Sequence, residues 1–372
     1  MKYKEENMRE FGRVIGRLCR GEDLSREESL EYYRQVILDE QPELQQGAFL
    51  VAHLMKGPTV AELSGAWDAL YQYDTEKIAP DIQEQCCDIV GTGSDVLKTV
   101  NVSTPAAFIA SACGVRMAKK GARLVTGVSG ATDILEIMGL NIEMPLSAAN
   151  RCLEQYGICY LPGESFLKAG WGRLICSMRF TSVFNIIGPL TRPCESTSSI
   201  VIGAYAEHLC PLLIDVLRET GTTAAMSIYG MSDGHHRRQG IDEISVCGET
   251  SVVELCDGKV EYYTLRPEDF GVRCCTYEEI ASKGSAEENV MAVLRVLSGR
   301  DEGPLADLYA VNAAAALRVH GVERDLKKGA FMAREKIADG SVLEKLRKLM
   351  ECQGGETGTE KLEELLKHID SR

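Results

Sequence analysis

Between Cys87 and Met138, three clusters of small and polar residues interrupt apolar runs at the points where strands hand over to helices. GTGSD (91–95) follows Ile89-Val90, NVSTPAAF (101–108) opens a helix, and KKGARLVTGVSGATD (119–133) repeats the arrangement. A chain punctuated in this way has to alternate short buried strands with helices. Glycine lets backbone N–H groups approach a ligand closely, and a helix N-terminus adds unpaired donors and a partial positive charge. Two such turns in one segment point to a ligand with more than one phosphate.

The flanking regions divide into two kinds. Residues 1–78 hold four amphipathic segments, at about 5–19, 26–38, 44–56 and 60–73, with starts at Ser25 and Thr59 and breaks at Gly21 and Gly57-Pro58. From about 85 onward, β-rich runs (Asp88–Val90, Val115–Ala118, Ser199–Tyr205, Ala224–Tyr229) alternate with helical stretches, and VVELCDGKVEYYTL (251–264) reads as a hairpin around Asp-Gly. Helices are expected at about 286–298, 304–319, 324–338 and 341–351. The expected architecture is an α/β protein: a small N-terminal helical domain (1–78), then a larger α/β domain (79–351) with a mixed, mainly parallel sheet flanked by helices. The segment at about 165–190 is one that can return to the helical domain, and 352–372 forms a charged C-terminal tail helix.

With 372 residues there is ample material for a large core. Lys plus Arg is 41 against 55 for Asp plus Glu, and the net charge of −14 argues against non-specific binding to nucleic acid or to an anionic membrane. There is no 18-residue apolar run, and the start MKYKEENMREFGR is too charged for a signal-peptide core, so a cytoplasmic protein is expected. The 14 cysteines form no CxxC pair and read as reduced, mostly buried thiols. His235-His236 lacks a second His/Cys cluster and reads as a solvated turn.

Individual residues suggest roles. Gly91 and Gly93 can turn N–H groups toward a phosphate, Thr92 and Ser94 offer hydroxyls, and Asp95 can orient a sugar hydroxyl or a metal-bound water. Ser103-Thr104-Pro105 reads as a helix start with a hydroxyl cap and proline at the first helical position. Lys119, Lys120 and Arg123 precede a second glycine–hydroxyl turn; they supply point charges for phosphate or else form a solvated basic turn. Asp242-Glu243 are natural oxygen ligands for Mg²⁺ carrying a diphosphate.

With these residues the chain resembles the anthranilate phosphoribosyltransferase family and the wider group shared with pyrimidine nucleoside phosphorylases. GTGSD is similar to the family's GTGGD, NVST to NxST, KKGAR to KHGNR or KHGAR, and SGATDILEIMG (129–139) to SGSADVLEALG. FNIIGPLTRP (184–193), IDEIS (241–245) and VNAAAAL (311–317) also match. The resemblance implies Mg²⁺-dependent transfer of 5-phosphoribose from phosphoribosyl pyrophosphate to an aromatic amine, with anthranilate the leading acceptor, and release of pyrophosphate. It further implies a homodimer formed through the helical domain and a site in the cleft between domains. Gly91, Thr92, Gly93, Ser94, Asp95, Asn101, Ser103, Thr104, Lys119 and Ser129 would hold the phosphoribosyl donor. Asp242, Glu243 and Ser103 would hold Mg²⁺. No protein nucleophile is required, because neutralised pyrophosphate is a good leaving group.

Departures from the family pattern bear on the acceptor. Lys120 stands at the usual histidine, Ala122 at a frequent asparagine, and Gly127-Val128 at the usual Ser-Lys. Arg173 is the expected partner of an acceptor carboxylate, with Arg179 the alternative. GMSDGHHRRQG (230–240) is longer and more basic than the family's turn and reads as a solvated insertion or an anion contact. The competing readings are a different aromatic acceptor, a nucleoside phosphorylase, and a non-enzymatic nucleic-acid-binding homologue.

Overall fold

The computed structural model describes residues 3–93, 96–123, 127–168, 170–178, 181–232 and 239–370, with the side chains of 175–178 left aside. The chain forms two compact units, one of Met1–Lys77, Phe166–Pro193 and Asp215–Gly221, the other of Ile78–Ser165, Cys194–Ile214 and Thr222–Arg372.

The first unit is helical. Its helices Glu5–Cys19, Arg26–Ile37, Glu43–Lys56 and Val60–Ala69 bury one face each. Capping boxes start two of them, Ser25 with Glu28 and Thr59 with Glu62, as the sequence pattern requires. Tyr33 sits between Phe49 and Phe184, with ring centroids 5.2 and 5.6 Å away. Edge contacts of this kind place hydrogen-bearing ring edges against π faces and add to the burial of all three rings. The single helix expected over 60–73 instead ends at Ala69 and widens into a π-helical turn, Leu70–Asp74. The turn brings the Asp74 carboxylate to the N-terminus of the helix Gly170–Met178. There it accepts from the N–H groups of Gly170 (2.7 Å) and Trp171 (2.8 Å), two donors that a helix start leaves unpaired.

The second unit holds one sheet, built from β1 (Cys86–Gly91), β2 (Met117–Gly121), β3 (Ile158–Pro162), β4 (Thr197–Gly203), β5 (Ala224–Met231), β6 (Gly240–Ile241), β7 (Thr250–Cys256) and β8 (Lys259–Leu265). The order is β3-β2-β1-β4-β5-β7-β8, with β6 beside β5. The first five strands pair in parallel, and β6, β7 and β8 join antiparallel, which gives the expected mixed, mainly parallel sheet. Asp257 and Gly258 close the β7–β8 hairpin at φ 50° and 75°, the left-handed pair that a two-residue turn needs. The sequence reading did not anticipate β3. All five of its residues are buried, so it carries no alternation to betray it. The alanine-rich helix Pro304–His320 lies almost wholly in the core, and the last helix, Gly358–Asp370, buries Leu362 and Ile369 in the same unit. Among the described residues no helix is long and apolar enough to cross a membrane.

Candidate functional site

From β1 the chain works outward through β2 to β3, then returns to place β4 on the other side of β1. The strand order therefore reverses between β1 and β4, and the carboxyl ends of strands at such a reversal leave a crevice for ligands. Gly91 and Gly203 are the last residues of these two strands and are paired with each other. Two-residue β6 folds back along β5, and Asp242, the residue after it, reaches into the crevice. Its entry depends on both glycines. A Cβ on Gly203 would lie 1.5 Å from the Asp242 carbonyl oxygen, and one on Gly91 would lie 2.1 Å from its Oδ2. Gly93, at φ 62°, turns its N–H to donate to Asp242 Oδ2 at 2.8 Å. That N–H thus orients a carboxylate rather than standing open for phosphate, while Asp242 Oδ1 has no hydrogen bond among the described residues.

The segments after the two glycine clusters meet. Asn101 Nδ2 donates to the Ser129 carbonyl (3.1 Å), and Ser129 Oγ donates to Asn101 Oδ1 (2.8 Å). Gly127 sits against the Lys98 side chain at φ 104°, a backbone conformation that favours glycine. Thr99 Oγ1 lies 3.5 Å from Glu243 Oε2, at the outer limit of a hydrogen bond. The helix that follows begins at Ser103 itself, with Val102 as its N-cap. Ser103 and Thr104 are therefore first-turn residues rather than caps, and Pro105 occupies the third position, where its missing N–H still costs nothing. Among the described residues neither Ser103 Oγ nor the buried Thr104 Oγ1 has a hydrogen-bond partner. A buried hydroxyl without a protein partner is costly unless water or a ligand pairs with it.

β2 extends past the expected Val115–Ala118, so Lys119 and Lys120 lie within a strand and are each only 3% exposed. Neither belongs to a solvated turn. Adjacent strand residues point to opposite faces, and the two ammoniums have different fates. Lys120 Nζ pairs with Asp88 Oδ2, while Asp88 Oδ1 accepts from the N–H groups of Ile89 (2.8 Å) and Lys120 (3.3 Å). Expected to face an acceptor, Lys120 is instead half of a buried ion pair within the sheet. Lys119 Nζ reaches only the Lys120 carbonyl and has no carboxylate partner among the described residues. Burial pulls its pKa down to about 8, opposed by the Asp88 charge and assisted by that of Lys120.

Other expected residues are engaged elsewhere. Thr92 Oγ1 accepts from Tyr205 N–H at 2.9 Å, and Thr92 N–H donates to the Gly203 carbonyl at 2.9 Å, so this side chain ties β1 to the end of β4. Ala122 is exposed, its carbonyl accepting from Thr132 N–H at 3.2 Å. Arg123 grips Glu136 at 2.6 Å and Asp133 at 3.6 Å. Arg173 belongs to the helical unit. Its guanidinium donates to the Val36 carbonyl (3.0 Å) and to Gln46 Oε1 (2.8 Å), and stands 3.7 Å from Asp39, because the start of the helix Gly170–Met178 abuts the C-terminal end of Arg26–Ile37. Ser94, Asp95, Arg179 and His235-His236 lie outside the described residues.

Residues 83–343 match the model of the glycosyl transferase family a/b domain, and 13–73 match that family's helical bundle domain. The anthranilate phosphoribosyltransferase of Anaeromyxobacter dehalogenans (strain 2CP-C) is 38% identical over 342 residues, covering 91% of this chain and 97% of its own. The chain belongs to the anthranilate phosphoribosyltransferase family. Its relative of that name in Methanobrevibacter smithii is 34% identical over 91% of this chain and 98% of its own. The Thermus thermophilus anthranilate phosphoribosyltransferase superposes with a TM-score of 0.82 at 29% identity, over 91% of this chain and 98% of that one. The Saccharomyces cerevisiae enzyme, solved with PRPP and Mg, shares the fold at a TM-score of 0.80 and 23% identity, covering 94% and 98%.

Asn289 is the residue of this family member that sequence reasoning missed. It is 1% exposed and donates through Nδ2 to Ser129 Oγ (2.9 Å) and Ser282 Oγ (3.0 Å), while its Oδ1 accepts from Lys283 N–H (2.8 Å). The segment 280–282 in turn bonds the 98–100 loop, Val100 N–H to the Ile280 carbonyl and Ser282 N–H to the Lys98 carbonyl. One amide thus holds both glycine-cluster loops. An asparagine in the first turn of a helix carries no sequence signal of this role.

Proposed function

We propose that this chain transfers the 5-phosphoribosyl group of phosphoribosyl pyrophosphate to anthranilate with release of pyrophosphate, the activity named for its relatives. One observation carries the reading: the Lys119 ammonium without a carboxylate, the unpartnered Thr104 hydroxyl and the Asp242 carboxylate all belong to segments at one end of a parallel sheet, around its order reversal. That donor set suits a ribose-linked diphosphate. Lys119 supplies charge, and Ser103, Thr104 and the helix N-terminus supply directional donors. Asn101 and Ser129 brace the two loops against each other.

Mg²⁺ fits the residues present. Asp242 offers a hard oxygen at Oδ1, Glu243 is adjacent, and Ser103 offers a hydroxyl. Among the described residues no group of three or more His, Cys, Asp or Glu forms a closed cage. Mg²⁺ characteristically takes one or two carboxylates and completes its shell with water and substrate phosphate. Bound there, the ion would neutralise charge on the departing diphosphate. The C1′–oxygen bond to pyrophosphate breaks as the C1′–nitrogen bond forms, and the amine then gives up its proton. The protein's part is to hold the diphosphate still and to favour the charge that develops, with no covalent intermediate.

A second reading, transfer to another aromatic amine, is favoured by the engagement of Arg173 inside the helical unit and of Lys120 with Asp88. Following pyrophosphate release with anthranilate and a panel of aromatic amines separates the two. Turnover of anthranilate that depends on Mg²⁺, with an Mg²⁺ requirement raised steeply in Asp242→Asn/Glu243→Gln, supports the first. Turnover confined to another amine establishes the second, and phosphate-dependent cleavage of nucleosides overturns both.

The reading includes a cytoplasmic homodimer. Leu44 (86% exposed), Val51 (42%) and Met55 (80%) line the outer face of the helix Glu43–Lys56, an apolar stripe that a second copy would cover. Light scattering should report a dimer, and Val51→Glu/Met55→Glu a monomer.

A further inference from the structure

A pair of thiols lies outside the chemistry described so far. Cys247 follows the carboxylate loop, its N–H donating to Ser245 Oγ at 3.0 Å, and its side chain is buried. Cys275 comes 28 residues later, on the far side of the β7–β8 hairpin, and donates its N–H to the Val246 carbonyl at 2.9 Å. The two sulfurs are 3.5 Å apart. A backbone hydrogen bond between neighbouring residues sets segment spacing close to that of paired strands, about 5 Å, inside the range of roughly 4.4–6.8 Å that a disulfide spans. Closing to the bonded S–S distance of about 2.05 Å asks for little more than a side-chain rotation.

We propose that Cys247 and Cys275 are a thiol-oxidation site, forming a reversible disulfide that staples the base of the edge hairpin and covalently joins the Asp242-Glu243 loop to the segment 275–282. That segment already carries the glycine-cluster loop: Tyr277 Oη accepts from Lys98 N–H (2.9 Å) and donates to the Lys98 carbonyl (2.8 Å). The staple would therefore tie together both halves of the crevice wall from behind. Cys275 is half-exposed, and the hydrogen bond from the Cys247 thiol draws its pKa below the ordinary thiol value against the opposing effect of burial. It is the attacking sulfur, and buried Cys247 resolves. With a small-molecule disulfide as oxidant, the Cys275 thiolate displaces one thiolate and forms a mixed disulfide. Cys247 then displaces the second. Two protein thiols are oxidised, one small disulfide is reduced to two thiols, and the two protons pass to the released thiolates.

Neighbouring cysteines make the assignment specific. Cys274 is exposed, and its Sγ lies 3.2 Å from the Cys247 carbonyl oxygen. Cys152 faces Cys352 between the helices Leu146–Tyr156 and Ser341–Gln353, and Cys86 faces Cys194, so two further thiol pairs lie in the same unit.

The test treats the folded, reduced full-length chain with oxidised glutathione, quenches it with an alkylating agent and maps the peptides. The expected product joins the peptides carrying Cys247 and Cys275, is two hydrogens lighter than the dithiol, and returns to it with dithiothreitol. Cys274→Ser should give the same link, and Cys247→Ser should leave Cys275 as a glutathione mixed disulfide. Because the readout is peptide mass, it holds whichever acceptor the enzyme uses and even if it has no transferase activity. A Cys247–Cys274 link, a Cys152–Cys352 or Cys86–Cys194 link formed to the exclusion of this one, or native protein whose Cys247 and Cys275 remain fully alkylatable would overturn the proposal.

Discussion

Replacing Gly91 by alanine probes the crevice at its tightest point. The added methyl would sit 2.1 Å from Asp242 Oδ2 and 2.7 Å from its Cγ. Ordinary carbon contacts are about 3.5–4 Å, so the carboxylate has to retreat by more than about 1 Å. The hydrogen bond it accepts from Gly93 N–H at 2.8 Å cannot survive that retreat. A hydrogen bond to a charged group contributes about 1.5–3 kcal/mol, which corresponds to roughly a 10- to 150-fold rise in the Mg²⁺ concentration needed for half-maximal activity. The assay is pyrophosphate release against Mg²⁺ at saturating phosphoribosyl pyrophosphate, with circular dichroism to verify the fold. The same substitution in an Asp242→Ala background supplies the control, because the methyl then has no carboxylate to displace and should cost little further. A Gly91→Ala enzyme with an unchanged Mg²⁺ requirement, or losses that simply add in the double variant, would refute the argument that Gly91 acts by admitting Asp242.

Three further outcomes follow from the same geometry. Asn289→Asp keeps the acceptor for Lys283 N–H but loses both Nδ2 donors, so phosphoribosyl pyrophosphate affinity should fall by about tenfold or more; calorimetry showing wild-type affinity, or full additivity with Ser129→Ala, would count against it. Lys119 has a pKa depressed to about 8, so the ligand-free fold carries a cost below that pH which is relieved as pH rises toward the unfolded value near 10.5. Binding a diphosphate should raise this pKa and take up part of a proton near pH 8.5, measurable by calorimetry in two buffers of different ionisation enthalpy and absent in Lys119→Met. In the helical unit, burial alone would push the Glu62 pKa up, but His53 Nε2 at 3.4 Å, Lys56 Nζ (2.9 Å), Thr59 N–H (2.7 Å) and Leu24 N–H (2.8 Å) together hold it far below the usual carboxylate range. A depressed carboxylate stabilises above its unfolded pKa and loses that contribution as pH falls, so Glu62→Gln should cost about 3–5 kcal/mol in urea unfolding at pH 7, with the gap to wild type narrowing below about pH 4.5; a gap constant from pH 7 to 3 would contradict this.

Local rules made much of the molecule legible from its residues. Helix starts at Ser25 and Thr59 are written in the side chain that caps and the glutamate three positions on, and the Asp257-Gly258 turn in two residues that tolerate positive φ. The glycine–hydroxyl clusters marked the crevice at the β1–β4 reversal because glycine and hydroxyl residues at short spacing stand out without reference to any distant partner. β3 escaped notice because a strand buried on both sides has no polar face to mark its period. The helix at Ser103 began two residues before the position that Pro105 suggested, since proline is tolerated anywhere among the first unpaired N–H groups.

Sequence alone determined the family and the alternation of strand and helix, and it nominated candidate residues for phosphate and metal, because those readings follow from residue types at short spacing. Tertiary structure decided which of them are available. Lys119 and Lys120 are neighbours with the same side chain, yet the pleat of β2 turns one toward Asp88 and leaves the other without a carboxylate among the described residues. Arg173 and Thr92 likewise meet partners 127 and 113 residues away in the chain, Gln46 and Tyr205. A charge or a hydroxyl is free for a ligand only when the fold gives it no other partner, and partners so distant in sequence come together only once the chain has folded.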